Sequence, residues 1–453
     1  MDAQSGLPQP QRAWAVLSLS LAVALAVLDS TIANVALPTI ARDLKVSDAE
    51  SIWVVNAYHL ANAVALLPMS ALGERLGYKR IYAIGLALLT LASLGCALAG
   101  TFGGLVAMRA AQGIGAAGVL SVNTALVRLV HPPTRLGRGI ALNSMMVALS
   151  MAIGPSLAAA VLAVAHWPWL FAINIPLGIV ALIGSLRALP DNPGNGLPFD
   201  RVGALMNAAF FFVLVLSMNG YREGWSLSNV CIGLAAAACI GVIFVKNQLG
   251  KTVPLLPIDL LRIRSFSMAL ATSTTSFAAQ TVALVALPFW LHNTLAVSVV
   301  ETGLYMTAWP LAIVATAPLV GRLTDRYPAG VLSSVGLALM ACGFLSLAVL
   351  GQQPAPLDIV WRMALCGLGF GLYQSPNNHA ILSAAPRSRS AGASGMLGTA
   401  RLIGQALGAS LVALTFHLMP ADGPTIALHV AAIIAGVATL VSASRLGIAP
   451  VGP

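Results

Sequence analysis

Long apolar runs alternate with short polar breaks along this chain, from residue 13 to residue 446. A helix rises about 1.5 Å per residue, so about 20 mostly apolar residues span a bilayer. Cutting the runs at their polar breaks predicts fourteen membrane-spanning helices. They cover 13–35, 51–73, 80–100, 104–127, 139–164, 168–188, 202–220, 227–246, 266–291, 299–321, 329–350, 359–383, 391–418 and 424–446. The breaks are too short to hold a soluble domain. The pattern therefore predicts an all-α integral membrane protein.

Composition agrees. Of 453 residues, 58% are hydrophobic and only 8% are charged, with a mean hydropathy of +0.87. Soluble chains carry about 25% charged residues. This excludes a soluble enzyme, a disordered chain and an ordinary nucleic-acid binder. The net charge of +10 does not point to nucleic acid, because the basic residues are scattered between apolar runs. It reports topology instead. With the N-terminus inside, eighteen of the 24 Lys and Arg residues fall in cytoplasmic segments and four in outer ones. That bias sets the orientation, with both termini cytoplasmic. The first apolar run is too long for a signal-peptide core and is read as the first span. The five cysteines lie in apolar runs without a C-x-x-C pair, which predicts neither a disulfide nor a metal site.

A weak repeat divides the chain. The turn after span 2 reads GERLGYKR over Gly73–Arg80, and the turn after span 10 reads GRLTDR over Gly321–Arg326. The copies are eight spans apart, as expected if two helices were inserted between two six-helix halves. The predicted parts are 1–188, an N-terminal six-helix bundle, 189–264, a linker with two inserted helices, and 265–453, a C-terminal six-helix bundle.

Charges inside the spans are few, and each costs roughly 2.5–3.5 kcal/mol at the bilayer centre on insertion scales. Besides His and Cys, only Asp29, Arg109 and Arg401 lie clearly within spans. Counting residues from the ends of spans 1 and 4 puts Asp29 and Arg109 at similar depth in the outer half. They are read as a proton-coupling pair, with an ion pair joining two helices as the structural alternative. Gln112 shares the helix face of Arg109. Asn56, His59 and Asn62 repeat along span 2 as a polar wall. Gln280, Gln374, Asn377, Asn378, His379, Arg401 and Gln405 supply polar groups to the second half, and Trp309 and Tyr373 are candidate cavity aromatics. The string Gly113–Gly118 matches G-x-G-x-x-G but follows no strand, so it is read as close helix packing. Gly154 and Pro155 permit a kink in span 5.

At this level the chain resembles the major facilitator superfamily, and within it the fourteen-span drug:proton antiporters (EmrB/QacA type). The run LDSTIANVALP over Leu28–Pro38, with Asn34, resembles that group's first-span signature. RAAQGIGAA over Arg109–Ala117 resembles its span-4 motif, and Gly154 and Pro155 stand where its span-5 motif lies. WPWLFAINIPLG over Trp167–Gly178 and RLIGQALG over Arg401–Gly408 resemble its patterns at spans 6 and 13. The resemblance implies a major facilitator fold, alternating access, and proton coupling through Asp29, Arg109 and Gln112. It implies a substrate cavity drawing on Asn34, Asn56, His59, Gln280, Trp309, Tyr373, Asn377, Arg401 and Gln405. It implies a cytoplasmic latch from Glu74, Arg75, Gly77, Arg80, Asp325 and Arg326, with Gly154 and Pro155 as conformational elements. The chain departs from the pattern at Ser70, Glu74 and Tyr78 in the latch. It also carries Asn56 and Arg401 where members recognising organic cations can carry acids.

The expected function is proton-coupled efflux of small amphipathic compounds, cationic or neutral, from a bacterial inner membrane. The expected partners are the substrate, protons and lipid, with no cofactor beyond the proton gradient, no metal and no nucleic acid. A monomer is expected, with an adaptor protein left open. The alternatives are a proton-linked transporter of one metabolite or organic anion and, remotely, a membrane-embedded enzyme or sensor.

Overall fold

The computed structural model describes residues 7–132, 136–194, 196, 198–220, 225–249, 251, 255, 258–324, 326–351, 354–385, 390–420 and 422–445. Among them there is no strand. The first bundle contains α1 (Gln11–Asp43), the short α2 (Asp48–Ser51), α3 (Trp53–Leu76), α4 (Tyr78–Ala97), α5 (Phe102–Val130), α6 (Leu136–Val164), the short α7 (Pro168–Ala172) and α8 (Asn174–Ala188). A hairpin of α9 (Arg201–Gly220) and α10 (Leu227–Leu249) follows. The second bundle is α11 (Arg264–Phe289), α12 (Val299–Thr324), α13 (Ala329–Ala348), α14 (Pro356–Ala384), α15 (Ser390–Leu418) and α16 (Gly423–Ala443). Fourteen of these helices are long, and each coincides with one predicted run. Eleven of the described helices are long and apolar enough to cross a membrane on that criterion alone, and α6 and α9 hold shorter apolar stretches.

Polar caps set several helix starts. Ser47 and Glu50 form a reciprocal capping box ahead of α3, Thr101 accepts from the Gly104 N–H at α5, and Ser298 and Glu301 repeat the box at α12. Each satisfies backbone donors that a helix leaves unpaired at its first turn.

The two bundles are built by one plan. Gly85 on α4 sits against Gly115 and Gly118 on α5; a Cβ on Gly85 would lie 2.8 Å from the Gly115 carbonyl oxygen. Gly336 on α13 sits against Gly369 on α14 in the same way, with a Cβ 2.6 Å from the Gly369 oxygen. Gly115 and Gly369 hold the same place in their helices. Without side chains between them the backbones approach closely, which is how helices associate where lipid removes the usual hydrophobic drive.

The start of α1 and the end of α16 lie on one face, here the terminal face. Toward the opposite face the bundles share one apolar core, in which Ile40, Ile52 and Trp167 join Trp290, Leu291 and Phe416. Toward the terminal face the cores separate. Leu19, Tyr82 and Leu126 belong to one, and Phe266, Ile381 and Met396 to the other. The bundles are thus closed against each other on one side and parted on the other. Two seams join them. At one, α6 meets α12, where the Ser156 and Thr307 hydroxyls are 2.5 Å apart. At the other, α3 meets α15, and α9 packs on both, with Phe211 in one cluster with Ala63 and Leu402. The Asn207 amide donates to the Val64 carbonyl there at 2.9 Å.

Candidate functional site

The deepest polar feature is a closed cluster around Asp29. Arg109 Nη1 is ion-paired with Asp29 Oδ2. Asp29 Oδ1 accepts from Gln112 Nε2 at 3.1 Å and from Asn174 Nδ2 at 2.8 Å. Arg109 also donates from Nε to the Val54 carbonyl at 2.9 Å and from Nη1 to Gln112 Oε1 at 2.8 Å. Gln112 reaches the Ser93 hydroxyl at 2.8 Å, and the Cys96 thiol donates to Gln112 Oε1 at 3.1 Å. Arg109 and Gln112 have no exposed surface, and Asp29 has 2%. A buried charge is tolerable only when paired and hydrogen-bonded, and five helices contribute to that here. The depth arithmetic therefore finds the right partners. It does not find Asn174, visible in sequence only within the Trp167–Gly178 run, nor Ser93, which no motif marks.

Below this cluster lies a cavity of about 430 Å³ between α1, α3, α5 and α6 of the first bundle and α15 of the second. It runs from Tyr58 and His59 down to Glu74, Tyr78 and Arg128, at the ends of α3 and α5 and the start of α4. Glu74 and Arg128 are exposed, so the cavity reaches the terminal face. Its polar lining includes Ser30, His59, Asn62, Ser70, Arg401 and Gln405, set among Leu66, Leu67, Leu120 and Leu402. Tyr58 touches both features. It lines the cavity, its ring lies against the Arg109 guanidinium at 4.6 Å, and its hydroxyl donates to the Ala26 carbonyl at 2.9 Å. A ring held this way is a cation–π partner for the arginine.

Of the residues predicted to line a cavity, the structure brings His59, Arg401 and Gln405 into this one. Asn34, Gln280 and Trp309 line a separate, much smaller void nearer the opposite face, about 20 Å³ between α1, α6, α11 and α12. Asn56 is buried, lines neither space, and has both amide atoms unpartnered. Tyr373 and Asn377 also line neither. Asn377 donates to the Ala269 carbonyl at 3.1 Å and to the Ser273 hydroxyl at 3.3 Å, and accepts from Arg445 at 2.9 Å. Tyr373 pairs with Ser273. These groups face into the second bundle, where they satisfy one another.

The latch residues are placed as follows. Glu74 lines the cavity mouth, Arg75 and Arg80 are exposed, and Gly77 adopts φ +102°, a conformation that favours glycine. The turn is held by the segment after α8. Lys79 pairs with Asp191 at 2.9 Å, and the Lys79 N–H donates to Asn192 Oδ1 at 3.3 Å. The Lys79 ammonium hydrogen-bonded to Asp191 holds that carboxyl below the usual aspartate range. Arg326 is exposed, and Asp325 lies outside the described residues. Gly154 packs against Thr31 on α1, and the Pro155 carbonyl faces Gly303 on α12. Among the described residues no group of three or more His, Cys, Asp or Glu could hold a metal ion.

Two bundles of matching construction, parted on one side around a cavity, are the architecture of a carrier. Comparison with known proteins decides the family, since the Major Facilitator Superfamily model matches residues 19–409. The chain belongs to that superfamily. It is 50% identical over 443 residues to the uncharacterized transporter YebQ of Escherichia coli (strain K12), with 97% of each chain covered. It is 27% identical to the riboflavin transporter RibZ of Clostridioides difficile (strain 630), covering 87% of this chain and 86% of that one. It is 31% identical to the multidrug resistance protein Stp of Mycobacterium tuberculosis (strain CDC 1551 / Oshkosh), covering 84% of this chain and 71% of that one. In fold it is similar to a crystal structure of a POT family transporter in complex with 5-aminolevulinic acid. The TM-score is 0.76 at 15% identity, covering 98% of this chain and 97% of the other. The chain is therefore a multi-pass membrane transporter rather than an enzyme.

Proposed function

We propose that the protein is a proton-coupled exporter of small amphipathic compounds, working by alternating access with fourteen spans and both termini in the cytoplasm. One observation carries this reading: the buried Asp29–Arg109 pair lies against Tyr58, a residue that also lines the cavity. The relation to a multidrug resistance protein and the 18-to-4 distribution of basic residues support direction and orientation.

The described state is then inward-open, with Asp29 ionised and paired. Substrate enters from the terminal face and lodges beneath Tyr58. The bundles rock against each other, parting the shared core and the α6–α12 seam on the outer side. In that outward state Asp29 takes a proton. The neutral acid no longer holds Arg109 by charge, and Arg109 keeps the Val54 carbonyl, Gln112 and the Tyr58 face. Return inward brings Asp29 back to its donors, the proton leaves, and the pair reforms.

In proteoliposomes, wild-type protein is expected to release protons when a transported dye or biocide is added, and Asp29→Asn to release none while still binding it. Proton release by the variant at the wild-type rate would sink the coupling assignment.

A further inference from the structure

Among the described residues Arg401 has no ion-pair partner. It lies on α15 and lines the cavity opposite Tyr58 and His59. Its one described contact is the face of Phe277, 5.4 Å from the guanidinium carbon. Asp29 cannot serve it, because both carboxylate oxygens are engaged by Arg109, Gln112 and Asn174. Among the described residues the acid that lines the cavity is Glu74. It is fifteen residues beyond His59 on α3, about 22 Å along the helix, and shares the mouth with Arg128. Among the described residues that line it, the cavity at the depth of Arg401 thus carries a fixed positive charge and no negative one. An ionisable side chain placed there marks a pathway, and it needs a partner.

Other polar side chains share the cavity. His59, Asn62 and Gln405 also line it, and Gln405, whose amide N–H can donate to an anion, follows Arg401 by one helical turn on the same wall. A guanidinium presents a planar fork that fits a carboxylate or sulfonate bidentately. The walls between are leucine, valine and alanine. A cavity of about 430 Å³ is within the range that holds drug-sized ligands. We infer that Arg401 is the anion receptor of the transport site, and that the substrate is an amphipathic organic anion with one carboxylate- or sulfonate-like group. This rests on the cavity being the transport site, and it replaces the cationic or neutral substrate expected from the sequence alone.

The charge balance gives an independent readout. Export of a monoanion in exchange for one proton moves two positive charges inward per cycle, whereas a monocation exchanged for one proton moves none. An inside-negative potential therefore drives the first and is indifferent to the second.

The test uses full-length protein and three naphthalene amphiphiles of equal size, bearing a sulfonate, an uncharged sulfonamide or a trimethylammonium group. In detergent, wild-type protein is expected to bind the sulfonate about tenfold more tightly than the trimethylammonium compound. Arg401→Gln is expected to erase that preference by weakening the sulfonate alone. Arg401→Lys, which keeps charge but loses the fork, falls between. In proteoliposomes without a pH gradient, sulfonate flux is expected to rise with a potassium diffusion potential. Equal or tighter binding of the cation by wild-type protein, or an unchanged preference in Arg401→Gln, overturns the proposal. If Arg401→Gln does not fold, the wild-type preference and Arg401→Lys decide it. Binding needs no proton coupling, so the two readings fail separately. Arg401-dependent sulfonate binding without proton release sinks the exporter reading alone, and proton-coupled transport of the cation alone sinks this one.

Discussion

If Asp29 and Arg109 act as one unit, removing either should cost more than removing both. Asp29→Asn keeps an oxygen for Asn174 and Gln112 but turns an NH₂ toward the guanidinium, leaving a buried cation uncompensated. Breaking a buried pair from one side costs about 3–5 kcal/mol. The low end applies here, since Arg109 retains the Val54 carbonyl at 2.9 Å, Gln112 Oε1 at 2.8 Å and the Tyr58 face at 4.6 Å. Arg109→Gln strands the carboxylate with two amide donors and costs about the same, roughly 3 kcal/mol. The double variant buries no charge. Its loss is expected at about 2 kcal/mol, against about 6 for the sum, a coupling of about 4 kcal/mol. Unfolding of the purified proteins by sodium dodecyl sulfate in mixed micelles measures all four corners of the cycle. A double variant as unstable as the sum would refute the pair and, with it, the reason for placing proton coupling there.

Two other expectations follow from the same geometry. Cysteines at positions 156 and 307, where the hydroxyls are 2.5 Å apart, should crosslink in the resting protein. The crosslinked protein should bind substrate from the terminal face yet fail to transport it until reduced; undiminished transport would show that the α6–α12 seam does not part. The Lys79–Asp191 contact predicts a pH dependence. Because the Asp191 carboxyl is held below its unfolded range, its contribution is fully present above about pH 3.9 and is lost as the pH falls through the depressed value. Protection of the Asn192 and Gly194 amides, relative to their intrinsic exchange rates, should fall over that interval and in Asp191→Asn at neutral pH; a pH-independent protection factor would remove the ion pair from the account.

The helix map was legible because it is a local property. About 20 apolar residues between polar breaks suffice to define a span, and all fourteen predicted runs coincide with long helices. Asp29 and Arg109 were legible for a related reason. Charges are so rare in these spans that depth alone leaves one acid to meet one base. The repeat was faint in sequence, because the latch turns share only their charge pattern. In the structure it is plain at Gly85–Gly115 and Gly336–Gly369. The second bundle has Met363 at the place Arg109 holds in the first, so the charged cluster belongs to one half only.

What the sequence determined, then, was how many long helices there are, approximately where they lie, and which charges had to be accounted for. What it could not determine was the direction in which each side chain faces. Helices in lipid are apolar on the packed side and on the lipid side, so periodicity does not separate a cavity wall from a core. Asn377 and Arg401 look alike in sequence, as polar residues in apolar runs. Only the packing of the bundles seals Asn377 against Arg445 and Ser273 and leaves Arg401 lining an open cavity with no ion-pair partner among the described residues. The same packing joins the cores on one side and parts them on the other, because the choice between two closures depends on contacts between helices far apart in the chain.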